Sequence, residues 1–351
     1  MKAWRLHEVG EIRLEDVPMP EIRDHEVLVE VKATGICGSD IPRIYKNGAH
    51  KMPLVPGHEF SGQVAAVGAC VDKKWMGKRV GVFPLIPCQN CVPCQKGQYE
   101  MCRHYDYLGS RRDGGFAEYV AVPEWNLVEL PENVSFEEAA MLEPMAVAVH
   151  ALRRVQINPE DTVVVFGLGT IGLLLTMFLL ERGISDLIVV GNKESQKRTA
   201  LSLGVKESHY LDSTKDSVRE FVIQHSDGYG DNAIFECVGK NETISEAIEL
   251  AAPAGEVCLV GNPGSDICLP QNVYWNILRH QLCVTGTWNS SYQGKAQDDW
   301  AYALRLLEQG RIRPAQLITH RFGMEDLEQG FHTMRDKTED YIKIMMTRCG
   351  E

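Results

Sequence analysis

The chain has 351 residues, 44% of them hydrophobic and 24% charged, which is typical of a globular protein with about two domains. Its 48 acidic and 36 basic residues give a formal net charge of -12, which argues against general binding to nucleic acid or to acidic membranes. The 11 cysteines are odd in number, no signal peptide is visible, and the longest apolar stretch is far shorter than the ~20 residues that cross a bilayer. We therefore expect a cytoplasmic protein with reduced thiols.

The first part of the chain predicts a β-rich domain. Short alternating runs such as residues 26–31 and 61–68 are separated by glycine and proline, as in a mostly antiparallel, barrel-like unit. From about residue 134 to residue 154 the apolar spacing becomes helical, after Ser135 and Glu138 in the positions of a capping box. We expect this domain to span residues 1–150.

Alternating strands and helices follow. A continuous apolar strand at residues 161–166 precedes a glycine turn, an apolar helix and a second strand at residues 187–190. Further strands are predicted at residues 232–238, 256–261 and 282–286. Continuous apolar strands joined by helices indicate a parallel sheet that is covered on both faces. This α/β domain should span residues 151–286, and residues 287–351 should return to the first domain with a helix at 298–308 and a strand at 341–346.

Four cysteines occur close together in the first domain: Cys88, Cys91, Cys94 and Cys102. Their spacing is typical of a structural zinc site with four thiolate ligands. A bacterial ferredoxin run would place its last cysteine nearer and follow it with proline, and a redox pair would need only two cysteines. We predict a structural zinc lobe at residues 86–104.

A glycine-rich loop joins the first apolar strand of the second domain to its helix. The loop reads Gly167, Leu168, Gly169, Thr170, Ile171 and Gly172 and fits the G-x-G-x-x-G pattern of a dinucleotide-binding site. The second strand ends in Gly191, Asn192 and Lys193, where a ribose-binding carboxylate is usual. Loss of that carboxylate and the presence of Lys193 favour NADP or dual use, so both NAD and NADP remain candidates.

A second set of metal-ligand candidates lies outside the cysteine cluster. Cys37 lies in a glycine-framed segment, His58 and Glu59 follow Gly57, and Glu143 precedes a proline. Taken singly, such a cysteine or histidine is more often a core residue. Together, Cys37, His58 and Glu143 suggest an open catalytic zinc site with three protein ligands and an exchangeable position.

These motifs resemble, in their order along the chain, the zinc-dependent medium-chain dehydrogenases. The resemblance rests on the segments at residues 37–40, 57–62, 88–102, 114–119, 142–144, 167–172 and 317–322. It implies a GroES-like β-rich catalytic domain built from both chain ends and an inserted Rossmann domain with a doubly wound parallel sheet. The glutamate in the 142–144 segment is similar to the polyol (sorbitol) dehydrogenase branch, and segments 39–50 and 109–116 are similar to its polyol-phosphate dehydrogenases.

The resemblance also implies roles for individual residues. Cys37, His58 and Glu143 would hold the catalytic zinc, with Glu59 in or beside the ligand set. Ser39 would take the proton of the substrate alcohol. Many alcohol dehydrogenases carry a relay histidine where this chain has Pro42, so the final proton acceptor stays open.

The expected function is the reversible, NAD(P)-linked oxidation of a secondary alcohol on a sugar-alcohol phosphate to the ketose phosphate. The basic residues Arg43, Lys46, Arg111 and Arg112 are candidates for the phosphate end, since arginine forks suit phosphate oxygens. Alternatives are an unphosphorylated polyol or secondary alcohol dehydrogenase, a zinc-ribbon nucleic-acid-binding protein, and an inactive structural member of the fold. We expect a small-molecule substrate, no nucleic-acid or membrane partner, and a homo-oligomer, a dimer or a tetramer.

Overall fold

The computed structural model of the protein describes residues 1–348. Two compact units are present, one formed by Met1–Ala146 together with the chain from Ser290 onward, the other by Val147–Asn289. The chain therefore leaves the first unit once and returns to it. Within the described residues, every helix is too short or too polar to cross a membrane.

Nine strands and four α-helices precede the second unit's sheet. The strands are β1 (Lys2–Glu8), β2 (Glu11–Asp16), β3 (Glu26–Ile36), β4 (Glu59–Val67), β5 (Arg79–Val82), β6 (Leu85–Ile86), β7 (Asp106–Tyr107), β8 (Tyr119–Pro123) and β9 (Leu127–Glu129). The helices are α1 (Asp40–Pro42), α2 (Val92–Gln95), α3 (Phe136–Ala140) and α4 (Leu142–Leu152), with a π-helical turn at Arg43–Asn47 and 3-10 turns at Lys73–Trp75, Tyr99–Met101 and Glu124–Asn126.

The second unit alternates strands and helices. The strands are β10 (Thr162–Phe166), β11 (Asp186–Gly191), β12 (Tyr210–Asp212), β13 (Asp231–Glu236), β14 (Ala251–Leu259) and β15 (Cys283–Gly286). The helices are α5 (Thr170–Glu181), α6 (Glu194–Leu203), α7 (Val218–His225), α8 (Asn241–Leu250) and α9 (Gln271–Arg279), with a 3-10 turn at Glu207–His209. The returning chain adds α10 (Asp299–Glu308), β16 (Ile318–Phe322), α11 (Leu327–Asp336) and β17 (Lys343–Thr347), and 3-10 turns at Pro314–Leu317 and Met324–Asp326.

The main sheet of the first unit has the order β16-β17-β3-β4-β5-β9, and β8 pairs with β3. All of its pairs are antiparallel except β16 with β17. Strand β3 explains why this sheet folds around a core: Val27, Val29 and Val31 alternate along it and are fully buried. The predicted β-rich, largely antiparallel architecture is confirmed.

The sheet of the second unit is entirely parallel, with the order β12-β11-β10-β13-β14-β15. Its central strands are buried on both faces, as their continuous apolar sequences predict. The strand order reverses between β10 and β13, and ligands of such sheets bind at this point, beyond the carboxyl ends of the strands. The predicted doubly wound α/β fold is confirmed.

The helical segment near residue 134 differs in detail from the single pattern expected from the sequence. The capping box of Ser135 and Glu138 is present at the start of α3, but α3 ends at Ala140 and α4 begins at Leu142. Pro144 lies in the first turn of α4, where its missing N–H costs no hydrogen bond. Restarting the helix here places Glu143 in the first turn of α4.

Candidate active site and metal centres

The four clustered cysteines bring their sulfur atoms together in the first unit. All four Sγ atoms lie within 4.8 Å of one another, and Cys91 Sγ lies 3.5 Å from Cys94 Sγ and 3.9 Å from Cys102 Sγ. A tetrahedral zinc with Zn–S bonds of about 2.3 Å would separate its sulfur ligands by about 3.8 Å. All four thiols are free of disulfides, so the donor set fits a zinc ion.

The surroundings of these thiols act in opposite directions: backbone N–H groups favour the Cys91 thiolate, whereas burial raises the pKa of Cys94 to about 12 and raises the pKa of Cys102 as well. Backbone N–H groups of Arg103 and Cys94 lower the pKa of the Cys91 thiol to about 6. The backbone N–H of Cys88 donates to Cys102 Sγ at 3.2 Å. Thiolates are the form that binds zinc, so these contacts favour binding.

Cys37, His58 and Glu59 form a second group of potential ligands. Each contributes a donor atom, and the three atoms lie within 4.8 Å of one another. Cys37 directly follows β3 and Glu59 begins β4, and the pairing of these strands places Gly35 opposite Glu59. The sheet register thus joins two segments that are separated along the sequence.

Gly57 allows His58 to turn into this site. Its φ of 92° lies in the left-handed region, and a Cβ there would come within 2.8 Å of the Phe116 ring. His58 follows with only 4% of its surface exposed. Its Nδ1 lies 3.5 Å from Asp40 Oδ1 and makes no hydrogen bond within residues 1–348.

Glu59 is paired with a lysine that our sequence reasoning missed. Lys343 Nζ contacts Glu59 Oε2 and donates to the Ile36 carbonyl at 3.0 Å. Both side chains of the ion pair are only 2% exposed. The sequence held one signal for this buried charge: Lys343 stands at the start of the apolar run that forms β17.

Glu143 lies beside this group rather than within it. Its carboxylate is buried and accepts a hydrogen bond from the Tyr107 hydroxyl at 3.3 Å. Burial raises the pKa of Glu143 to about 7, with His58 lowering it and Glu59 raising it further. The structure therefore groups Glu59, rather than Glu143, most closely with Cys37 and His58.

Asp40 is a further buried charge, to which the sequence alone assigned no role. It accepts the backbone N–H of Cys37 at 3.0 Å and forms an ion pair with Arg43. Burial raises its pKa, but His58 and Arg43 outweigh this effect and the net shift is downward. Asp40 thereby fixes the Cys37 loop and faces His58.

Ser39 lies on the same loop. Its hydroxyl donates to Cys37 Sγ at 3.3 Å. This contact places the Ser39 oxygen next to the candidate metal site.

The charges of this site fit a divalent metal. With the Cys37 thiol and the carboxyl groups of Glu59 and Glu143 all ionised, the site would carry three negative charges against one positive charge from Lys343, while Asp40 and Arg43 cancel. Buried charges are costly unless they are compensated. A bound dication with thiolate, imidazole and carboxylate ligands would bring the net charge of the site to zero. The residues present therefore fit zinc.

The glycine loop of the second unit fits a dinucleotide. Gly169 is the N-cap of α5, which places the amino-terminal end of this helix at the loop. A Cβ at Gly172 would overlap the Gly167 carbonyl, so glycine is required for close packing of the helix. A Cβ at Gly169 would meet no described atom within 4 Å, which leaves room for a phosphate to approach. Leu168, Thr170 and Ile171 complete the loop.

At the end of β11, where a carboxylate is usual, the side-chain amide of Gln196 from α6 lies beside Gly191. Gln196 Oε1 accepts the backbone N–H of Asn192 at 2.9 Å, and a Cβ at Gly191 would come within 2.9 Å of this oxygen. The Lys193 carbonyl accepts a hydrogen bond from the Tyr210 hydroxyl at 3.1 Å. Sequence reasoning overlooked Gln196, although it lies only five positions beyond the missing acid.

The four cations predicted for the phosphate end occupy two places. Arg43 pairs with Asp40, and Lys46 is exposed in the turn that follows. Arg111 stacks over the ring of Tyr105 at 4.5 Å, and its Nε has no hydrogen-bond partner within the described chain.

Arg112 donates to Glu26 at 2.8 Å, so its charge is already paired. Arg111 and Arg112 line a cleft of about 640 Å³ that also includes Arg5, Arg23 and Lys51. The described lining of this cleft contains none of the candidate metal ligands.

Comparisons with known proteins cover nearly the whole chain. The alcohol dehydrogenase GroES-like domain model matches residues 23–132, and the glucose dehydrogenase C-terminus model matches residues 130–347. Galactitol 1-phosphate 5-dehydrogenase from Escherichia coli (strain K12) is 36% identical over 91% of this chain and 92% of its own length. Sorbitol dehydrogenase from Halalkalibacterium halodurans is 30% identical over 97% of both chains. The crystal structure of galactitol-1-phosphate dehydrogenase from Escherichia coli superimposes with a TM-score of 0.90 at 34% identity, covering 99% of this chain and 100% of that one.

Proposed function

This chain belongs to the zinc-dependent medium-chain dehydrogenases, in their polyol dehydrogenase branch, and we propose that it oxidises a sugar-alcohol phosphate. A secondary alcohol of a hexitol or pentitol phosphate becomes the ketose phosphate, reversibly, with NAD or NADP as the partner. The observation that carries the dehydrogenase reaction is the group of Cys37, His58 and Glu59, whose donor atoms lie within 4.8 Å of one another and are of the types that zinc binds. Support for a phosphorylated substrate comes from the similarity to galactitol 1-phosphate 5-dehydrogenase across 91% of the chain.

Zinc and the dinucleotide would supply part of the reaction chemistry, and side chains of the protein would supply the rest. When bound, zinc supplies Lewis-acid polarisation of the alcohol, and the nicotinamide dinucleotide supplies the hydride acceptor. Cys37, His58 and Glu59 hold the metal, and Lys343 neutralises part of the negative charge that they bring. Ser39 Oγ, whose hydroxyl already lies against Cys37, accepts the alcohol proton as it passes its own hydroxyl proton to a further acceptor such as water.

The roles of the two carboxylates are distinguishable by experiment. Glu59→Gln should lower both zinc content and turnover, because it removes a ligand charge. Glu143→Gln should lower turnover and leave most of the catalytic zinc in place, because Glu143 lies outside the closest ligand group. Equal zinc loss in both variants would favour the sequence-based assignment of Glu143 as a ligand.

We assign the phosphate end to Arg43 and Lys46 in preference to Arg111 and Arg112. Arg43 and Lys46 follow Ser39 on the segment that begins with Cys37, whereas the other two line a separate cleft. Lys46→Ala should lower kcat/KM for a polyol phosphate and leave that for the free polyol unchanged. Arg111→Ala is the matched control and should change neither value.

The alternative is an unphosphorylated polyol or secondary alcohol as the substrate. It is favoured by the existing ion pairs of Arg43 with Asp40 and of Arg112 with Glu26, which reduce the positive charge left for a phosphate. A panel of pentitols, hexitols and their phosphates, assayed in parallel with NAD and NADP, decides between the two. A higher kcat/KM for every free polyol than for its phosphate would refute the phosphate proposal.

We further propose that the protein is a homo-oligomer. Tyr274, Trp275 and Leu278 on α9 are 55%, 44% and 51% exposed. Such an apolar patch is unusual on a monomer and typical of an interface. Light scattering of the wild type should give a dimer or tetramer mass, and a Trp275→Glu variant should shift it toward the monomer.

A further inference from the structure

A third group of metal-ligating side chains lies in the second unit, away from the glycine loop. Asp186 begins β11, His209 ends the 3-10 turn before β12, and His225 ends α7. They gather at the amino-terminal edge of the parallel sheet. Ligands of such sheets bind beyond the carboxyl ends of the strands, so the oxidation reaction does not use this edge.

The donor atoms of this group are close enough to share one ion. His225 Nε2 lies 2.9 Å from Asp186 Oδ1, and His209 Nδ1 lies 3.9 Å from the same oxygen. All three donor atoms lie within 4.8 Å of one another. A tetrahedral zinc with bonds of about 2.05 Å would separate its nitrogen and oxygen ligands by about 3.3 Å, which falls within this range.

Neighbouring groups hold the three side chains in place. The Thr162 hydroxyl donates to Asp186 Oδ2 at 3.2 Å, which leaves Oδ1 directed at the histidines. The ring of Phe221 stacks on His225 with an interplanar angle of 10°. Metal ligands are commonly oriented by such outer contacts.

The side chains of Asp186, His209 and His225 are exposed enough for a bound ion to exchange with solvent. The side chain of His209 is 11% exposed, while those of Asp186 and His225 are 32% and 28% exposed. An ion could therefore enter from solvent and keep a water as its fourth ligand.

A buried carboxylate close by provides a second observation. Asp231, at the start of β13, is fully buried, and neither of its carboxylate oxygens has a hydrogen-bond partner within residues 1–348. Burial raises the pKa of Asp231 to about 7, with His225 lowering it and Asp186 raising it further. A buried carboxylate without a hydrogen-bond donor gains from a nearby cation. Asp186 and Lys206 act on His209 with opposite charges, and the effect of Asp186 is the larger of the two.

We propose that Asp186, His209 and His225 form a zinc site in addition to the four-cysteine and catalytic sites. Two imidazoles and one carboxylate are ligands that zinc accepts, and the fourth position stays open to water. The ion would tie the start of β11 to the end of α7 and to the turn before β12. It would stabilise the second unit and take no part in the oxidation.

The test compares full-length protein with two near-isosteric variants, Asp186→Asn and His225→Asn. His25→Ala is the matched control, since it removes an exposed histidine from the first unit. Each protein is saturated with Zn²⁺, freed of excess metal, and its zinc per chain is measured by native mass spectrometry. NADH binding and circular dichroism verify the fold of each variant.

We expect wild type and His25→Ala to carry one more zinc per chain than either variant, with turnover unchanged in all four proteins. Added Zn²⁺ should raise the Tm of wild type more than that of Asp186→Asn. Equal zinc content in wild type and both variants would overturn the proposal.

If both variants misfold, anomalous diffraction from wild-type crystals soaked in Zn²⁺ decides. A zinc peak between Asp186 and His225 supports the site, and its absence refutes it. The outcome is independent of the proposed polyol oxidation, since that activity is measured separately.

Discussion

Replacing Lys343 with methionine tests the charge balance of the candidate active site. Methionine nearly preserves the length of the side chain and removes its charge, which leaves Glu59 buried without its cation. Removing one partner of a buried ion pair costs about 3–5 kcal/mol. In a unit of this size each kcal/mol lowers Tm by about 2–4 °C, so the expected loss is about 6–20 °C.

The assay is differential scanning fluorimetry with and without added Zn²⁺. A zinc ion compensates the carboxylate that Lys343 no longer pairs with, so zinc should raise the Tm of Lys343→Met by more than it raises that of wild type. Lys78→Met is the matched control, because the ion pair of Lys78 with Glu129 is 45% and 53% exposed and such pairs contribute about 0–1 kcal/mol.

A double variant separates charge from packing. Lys343→Met combined with Glu59→Leu removes both charges and should be more stable than Lys343→Met alone, since a buried pair replaced by apolar residues is often tolerated. If Lys343→Met melts within about 2 °C of the Lys78→Met control without added zinc, the buried pair does not contribute as argued.

Four further substitutions address the other sites. Cys94→Ser should remove one zinc per chain and lower Tm, as measured by metal analysis and fluorimetry, because a hydroxyl replaces a thiolate ligand; unchanged zinc content would contradict this. Gly169→Val should weaken NAD(P)H binding more than tenfold at unchanged Tm, since the added side chain fills space that is open in the fold. Gly172→Ala should instead lower Tm, because its Cβ would overlap the Gly167 carbonyl. Lys193→Ala should raise KM for NADP and leave KM for NAD unchanged; equal changes in both would show that Lys193 does not contact a 2′-phosphate.

The sequence predicted the architecture well because its signals are local. Continuous apolar strands, a glycine loop and a capping box each depend on residues that are close along the chain. The Cys88 to Cys102 cluster is local in the same sense, and the fold brings its four sulfur atoms together.

The sequence was less informative about side chains that meet across long distances. Glu59 and Lys343 are 284 positions apart, and the sequence around Glu59 does not indicate that it forms an ion pair with Lys343. The phosphate candidates show the same limit, since a run of arginines indicates positive charge but not which groups neutralise it. Arg43 and Arg112 each face a carboxylate that the sequence alone did not assign to them.

The sequence by itself determined the family, the two kinds of sheet and the residue types available for zinc and dinucleotide binding. Only the tertiary structure decided which of these residues come together. It placed Glu59 rather than Glu143 nearest to Cys37 and His58, and it added Lys343 and Asp40 to the charge balance. The physical reason is that strand register and burial set which charges face one another, and both depend on contacts between segments far apart in the chain.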